Sequence, residues 1–150
     1  FRRALEEKLV DGNKMFQIGL RATGYSADDF DWAKSQGATV VQAESCWYKS
    51  LQPLLDEIRG KIGKDTPTYL SFDIDGLDPS VAPGTGTPEP AGLTAQQGIE
   101  IIRGAHGLNL TGADLVEVSP PYDTTGNTSL LAANLVFEML CSFPGCVRLE

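Results

Sequence analysis

The chain has 150 residues, 41% of them hydrophobic, enough to bury one core and form a single globular unit. Lys and Arg number 12 against 20 Asp and Glu, so the net charge is 12 − 20 = −8, and no basic cluster interrupts that acidic background. The balance argues against nucleic acid or an anionic membrane surface as a partner. The longest strongly apolar stretch, Leu130 to Cys141, is too short to cross a bilayer and is broken by Asn134 and Glu138.

Phe1 opens the chain without an initiator Met and leads directly into a helix-like stretch from Arg2 to Val10, so the sequence reads as part of something longer. Apolar periodicity then predicts a strand over Met15 to Leu20, a helix over Ala27 to Gln36, a strand over Thr39 to Gln42 and a helix over Ser50 to Ile62. Pro53 falls in the first turn of that helix, and Gly63 follows its last apolar residue as a C-cap. Thr68 to Phe72 reads as a strand, Thr94 to Arg103 as a helix, Thr111 to Val118 as a strand and Thr128 to Cys141 as a helix. Thr94 and Gln97 have the spacing of a reciprocal capping box.

Strands separated by helices of about 10–14 residues imply parallel pairing through crossovers, hence an α/β protein with a mostly parallel sheet. In such sheets ligands sit beyond the C-terminal ends of the strands, which directs attention to the residues after Phe72 and around Val118. Cys46, Cys141 and Cys146 are odd in number and lack a C-x-x-C spacing, so neither a disulfide framework nor a zinc cluster is indicated, and a reducing intracellular compartment, cytoplasmic or mitochondrial, is the default. Cys141 reads as ordinary core, and Trp32, Trp47, Tyr48 and Phe137 as packing or subunit-contact residues.

The most informative segment is Tyr69 to Pro79, in which a strand runs straight into Asp73, Asp75 and Asp78. Positions i and i+2 of a strand share a face, so Asp73 and Asp75 would stand close together, and without a cation one of them would take up a proton. A hard divalent metal relieves that repulsion. Asp78, before Pro79, reads better as a turn residue. The Pro- and Gly-rich loop from Ser80 to Gly92 looks shaped and semi-rigid, and its Gly84-x-Gly86 pair lacks the rest of a dinucleotide fingerprint. Glu117, within an apolar strand, needs a partner there: either a cation or cationic substrate, or a hydrogen bond from a following Ser or Tyr, and spacing alone leaves these open.

Ser71 to Pro79, Ala82 to Pro88 and Leu115 to Asp123 together resemble the arginase and agmatinase ureohydrolases, nearest to the branch acting on agmatine or guanidino acids. Gln17 to Arg21, Asp28 to Gln36 and Asn134 to Leu140 extend the resemblance over essentially the whole chain, as the C-terminal portion of one catalytic domain. The resemblance implies a three-layer α-β-α fold, with Asp73 and Asp75 as ligands to paired manganese ions, Glu117 holding the substrate guanidinium and Thr87 lining the pocket. It further implies that a hydroxide shared by two metals about 3.5–4 Å apart attacks the guanidinium carbon and that the product is urea with an amine. Polyamine metabolism, a small guanidino substrate and a homo-oligomer, trimeric or hexameric when complete, belong to the same implication.

The family also needs an upstream metal-binding His and a D-x-H-x-D segment, and neither occurs in these residues. The chain therefore holds part of the metal shell, and on its own is expected to be inactive. Its lone histidine, His106, matches no family ligand and reads as a solvent-facing loop residue. Asp114 and Asp123 read as strand and loop supports. Two rival readings are a truncated or degenerate homologue without turnover, and a magnesium-dependent aspartate phosphatase, which expects Thr where Leu77 stands and a downstream Lys that the tail lacks.

Overall fold

The alternating apolar runs fold into an α/β arrangement in a computed structural model that describes residues 1–21 and 29–146. In chain order the elements are α1 (Arg2–Glu6), β1 (Phe16–Leu20), α2 (Asp29–Ser35), β2 (Thr39–Gln42), α3 (Gln52–Ile62), β3 (Pro67–Asp73), α4 (Ala95–Gly104), β4 (Asn109–Val116) and α5 (Asn127–Ser142). The expected start of α2 at Ala27 lies outside the described residues. α1 ends short of the expected Val10, because Lys8 turns into the left-handed region (φ 57°). Leu9 and Val10 remain exposed and offer no apolar stripe to sustain another turn.

All strand pairing is parallel, as the helical crossovers require. It forms two two-stranded ladders among the described residues. β1 lies beside β2, with Phe16 opposite Thr39 and Leu20 opposite Gln42, and the register shifts between Ile18 and Leu20. The residue at that irregularity is Gly19, whose φ of 94° a side chain would resist. β3 lies beside β4, from Pro67 opposite Asn109 to Asp73 opposite Val116.

One hydrophobic cluster joins these parts: Leu55, Ile58 and Ile62 from α3, Phe72, Ile74 and Leu77 around the end of β3, Ile102 from α4, and Leu135 and Met139 from α5. Ile74, Ile102 and Leu135 are fully buried, and truncating any one of them to Ala is worth about 2–5 kcal/mol. α5 presents Thr128, Ala132, Leu135, Met139 and Ser142 inward, a helical spacing that leaves Cys141 half-buried at the edge of the stripe rather than in the core. Cys46 is the cysteine that is fully buried. Tyr48 and Phe137 stay out of the core, and Tyr48 is completely exposed. No helix among the described residues is long and apolar enough to cross a membrane.

The helix ends follow local chemistry. Thr94 and Gln97 form the reciprocal capping box, with Gln97 N–H donating to Thr94 Oγ1 at 3.1 Å and Thr94 N–H to Gln97 Oε1 at 3.0 Å. The Asp123 carboxylate accepts from the backbone N–H groups of Thr128 (3.1 Å) and Ser129 (2.8 Å), satisfying donors that the first turn of α5 leaves unpaired. Asp114 accepts from the Tyr69 hydroxyl at 2.8 Å and the Ser71 hydroxyl at 2.6 Å, tying β4 to β3. These contacts give both aspartates the supporting roles expected of them. His106 lies exposed in the turn after α4.

Candidate functional site

The C-terminal end of β3 is anchored by apolar residues that alternate with its acids. Phe72, Ile74 and Leu77 are buried, while Asp73 is exposed and Asp75 partly so. The backbone is therefore held by the core and the carboxylates emerge at its surface. Asp73 is the last strand residue, and Asp75 sits in a single 3-10 turn, Ile74–Gly76. The two carboxylates are thus neighbours for a different reason from the strand alternation that the sequence suggested. Asp73 caps the turn, its Oδ1 accepting the Asp75 N–H at 3.2 Å, which draws the second acid back beside the first.

That crowding has an electrostatic signature. The Asp73 carboxyl is pushed up to about 6, first by desolvation, then by the Asp75 charge, with Glu117 adding to the rise and the Asp75 N–H opposing it. Glu117 is brought to the pair by the backbone. β4 ends at Val116, beside Asp73, and Glu117 follows with φ 67°. A left-handed glutamate costs on the order of 1–2 kcal/mol, and here it breaks the alternation that would otherwise govern where this side chain goes. The residue is exposed just beyond the strand rather than inside it. No hydrogen bond from Ser119 or Tyr122 to its carboxylate is seen, which weighs against the purely structural role left open for it.

Thr87, expected along a substrate pocket, donates its hydroxyl to Asp75 Oδ2 at 2.7 Å. Its loop is fastened at both ends by Asp78, whose Oδ1 accepts from Ser80 N–H at 2.9 Å and Oδ2 from Gly92 N–H at 3.1 Å. Those bonds, Ser80 first, hold the Asp78 carboxyl below its ordinary value, so its turn role is the one the geometry supports. Gly92 has no room for a side chain: an added Cβ would stand 2.6 Å from the Asp78 nitrogen. Further along, Thr85 pairs with Val118 in an antiparallel bridge, which lays the loop against the segment after Glu117. Trp47, read from sequence as a packing or subunit-contact residue, donates its indole N–H to the Ala91 carbonyl at 3.2 Å and so supports the loop.

A second missed participant is Arg21, at the C-terminal end of β1, which reaches the main-chain carbonyls of Asp75 (2.8 Å), Gly76 (3.4 Å) and Leu77 (3.3 Å). Nothing near Arg21 in sequence signals those contacts, because its acceptors lie more than fifty residues away in the chain.

The donor set suits a hard divalent cation. It consists of carboxylate oxygens, with no sulfur or imidazole beside them. It is also incomplete: among the described residues no group of three or more His, Cys, Asp or Glu is arranged to hold a metal ion. Asp73 and Asp75 fit as part of a shell, and the raised Asp73 carboxyl reflects its desolvation and the Asp75 charge beside it.

Comparison with known proteins agrees with this arrangement. The model of the Arginase family matches residues 1–141. A guanidinobutyrase from Pseudomonas aeruginosa is 67% identical over 148 residues, covering 99% of this chain and 46% of that protein. A mitochondrial agmatinase from Gallus gallus is 58% identical over 145 residues, covering 97% and 42%. Among solved structures, proclavaminate amidinohydrolase from Streptomyces clavuligerus superposes with a TM-score of 0.89 at 40% identity, covering 95% of this chain and 47% of that one. The chain thus spans a little under half the length of the relatives it matches, and its parallel α/β architecture is that of the arginase fold. An aspartate phosphatase is set aside by the same match, since it would leave the threonine loop and Glu117 unexplained. With Asp73, Asp75, Thr87 and Glu117 all inside the matched span, the chain belongs to the arginase family.

Proposed function

We propose that the protein carrying this chain is a manganese-dependent ureohydrolase, cleaving the guanidino group of agmatine or a guanidino acid to urea and an amine. The observation that carries the reading is the convergence of Asp73, Asp75 and Glu117 at the ends of β3 and β4, with Glu117 held there at the expense of a left-handed backbone. Strain of this kind persists where surrounding structure enforces it, and it is concentrated at functional sites.

Asp73 and Asp75 would hold part of a manganese site, which would supply Lewis acidity and lower the pKa of a bound water. The chain's own residues bind and orient. Asp73 and Asp75 bring two negative charges to one point, and Thr87 keeps one Asp75 oxygen oriented by its 2.7 Å bond. Glu117 offers a carboxylate to a planar cationic guanidinium, a charge-assisted pairing that fixes the group's orientation. Its single negative charge selects a cationic head group over a neutral amide. The Ser80–Gly92 loop, tied down by Asp78, forms a wall beside the acids.

The test is urea release by the whole protein with manganese, on agmatine, 4-guanidinobutyrate, 3-guanidinopropionate and arginine, alongside Asp75→Ala. Turnover of one substrate that the variant loses by at least about a hundredfold is expected. Absence of urea from all four, with manganese demonstrably bound, overturns the reading and favours a homologue without turnover.

A further inference from the structure

Arg21 is partly buried where β1 ends, and each of its guanidinium nitrogens has a main-chain partner. Nε donates to the carbonyls of Glu89 (3.2 Å) and Pro90 (3.1 Å), and Nη1 to those of Gly19 (3.2 Å) and Gly76 (3.4 Å). Nη2 donates to Asp75 (2.8 Å), Leu77 (3.3 Å) and Glu89. The acceptors come from three segments: its own strand, the turn that bears Asp75, and the loop that bears Thr87. A planar fork of five N–H donors holds three backbones in one fixed geometry, whereas an ammonium has three donors on a flexible stem and cannot reproduce that set of bonds. The Asp75 side chain and the Thr87 hydroxyl are hydrogen-bonded to each other, so their relative placement depends on how the turn and the loop are held together.

We infer that Arg21 is a positioning residue for the metal site, clamping the Asp75 turn to the Thr87 loop so that the Thr87 hydroxyl orients the Asp75 carboxylate for the cation. The inference rests on the metal-site reading given above. Arg21 acts through the main chain of Asp75 and of Glu89 and Pro90. A guanidinium whose donors all go to carbonyls carries its positive charge beside the acidic pair as well, and the two contributions separate by substitution. Lysine keeps the charge and loses the fork.

The experiment is manganese affinity of the whole protein, read from the electron paramagnetic resonance of free Mn2+, for the unaltered protein, Arg21→Lys, Thr87→Val and the double variant. The metal-free melting curve serves as the check on folding. Arg21→Lys is expected to bind manganese about tenfold or more weakly, the size of effect typical of groups that orient metal ligands. Because both substitutions act on one arrangement, the double variant is expected to lose less than the product of the two single losses. Unchanged affinity in Arg21→Lys overturns the inference, as do independent, multiplicative losses, which mark general loosening. An Arg21→Lys protein that does not fold also overturns it, leaving Arg21 a purely structural residue. If the unaltered protein binds no manganese, the metal-site reading itself falls and this inference with it, an outcome distinct from normal binding that Arg21→Lys leaves untouched.

Discussion

Asp73 shows how one residue links the site to the whole protein's pH behaviour. Its carboxyl sits near 6 when folded against an ordinary value of 3.8, so between those values the folded state binds more protons than the unfolded chain. This group's contribution to stability therefore falls as pH rises through that window, a penalty that a bound cation would offset. Manganese affinity is accordingly expected to drop as pH falls through about 6, because protons and metal compete for one carboxylate. A titration of metal affinity between pH 5 and 8, shallower through 6 for Asp73→Asn and at a weaker level, checks this. Glu117 makes a complementary case. Replacing it by Gly relieves the left-handed backbone (φ 67°) and removes an exposed side chain, so Glu117→Gly is expected to stabilise the fold by about 1 kcal/mol in denaturant melts. Urea release would be lost in the same variant. A destabilised Glu117→Gly would show that the strain is not relieved by removing the side chain.

Among the elements, α5 depends on an acid that lies outside it. Asp123 takes the N–H groups of Thr128 and Ser129, and those bonds, Ser129 first, hold its carboxyl below the ordinary value. Its stabilising contribution is therefore present above the unfolded value and lost as pH falls below it. Asp123→Ala is expected to cost about 1 kcal/mol, with amide exchange rising first in the opening turn of α5, and Asp123→Asn to recover part of the loss. Uniform exchange along the helix would point to a packing effect instead. The cap also matters to the site, since Gly84 packs against Asp123: an added Cβ there would stand 2.5 Å from the Asp123 Cβ. The start of the helix and the loop carrying Thr87 are thereby built on one another.

At the scale of the molecule, each strand pairs on one side only among the described residues, and on the reading proposed above Asp73 and Asp75, at the end of β3, supply part of a metal shell. The 150-residue polypeptide by itself is expected to bind manganese weakly and to release no urea, and the proposed function expects the whole protein to bind manganese tightly and to release urea. Isothermal titration and a urea assay on the two, side by side, decide it, and full turnover by the polypeptide alone would sink the partial-shell view. Much of this protein was legible in the residues themselves. Strand β2, the capping box of Thr94 and Gln97, Pro53 in the first turn of α3 and Gly63 at its end all depend on neighbours a few positions away, so local chemistry determines them. Asp73 and Asp75 stood out because adjacent carboxylates at the end of an apolar strand are costly to leave uncompensated. The sequence by itself thus determined the family, the element order and the acidic pair. Only the tertiary structure decided that β4 stops at Val116 and Glu117 turns left-handed, that Thr87 bonds Asp75, that the strands form two ladders, and that Arg21 spans three segments. Those features arise from contacts between residues distant in the chain, where register and packing, rather than the preferences of any short stretch, set the outcome.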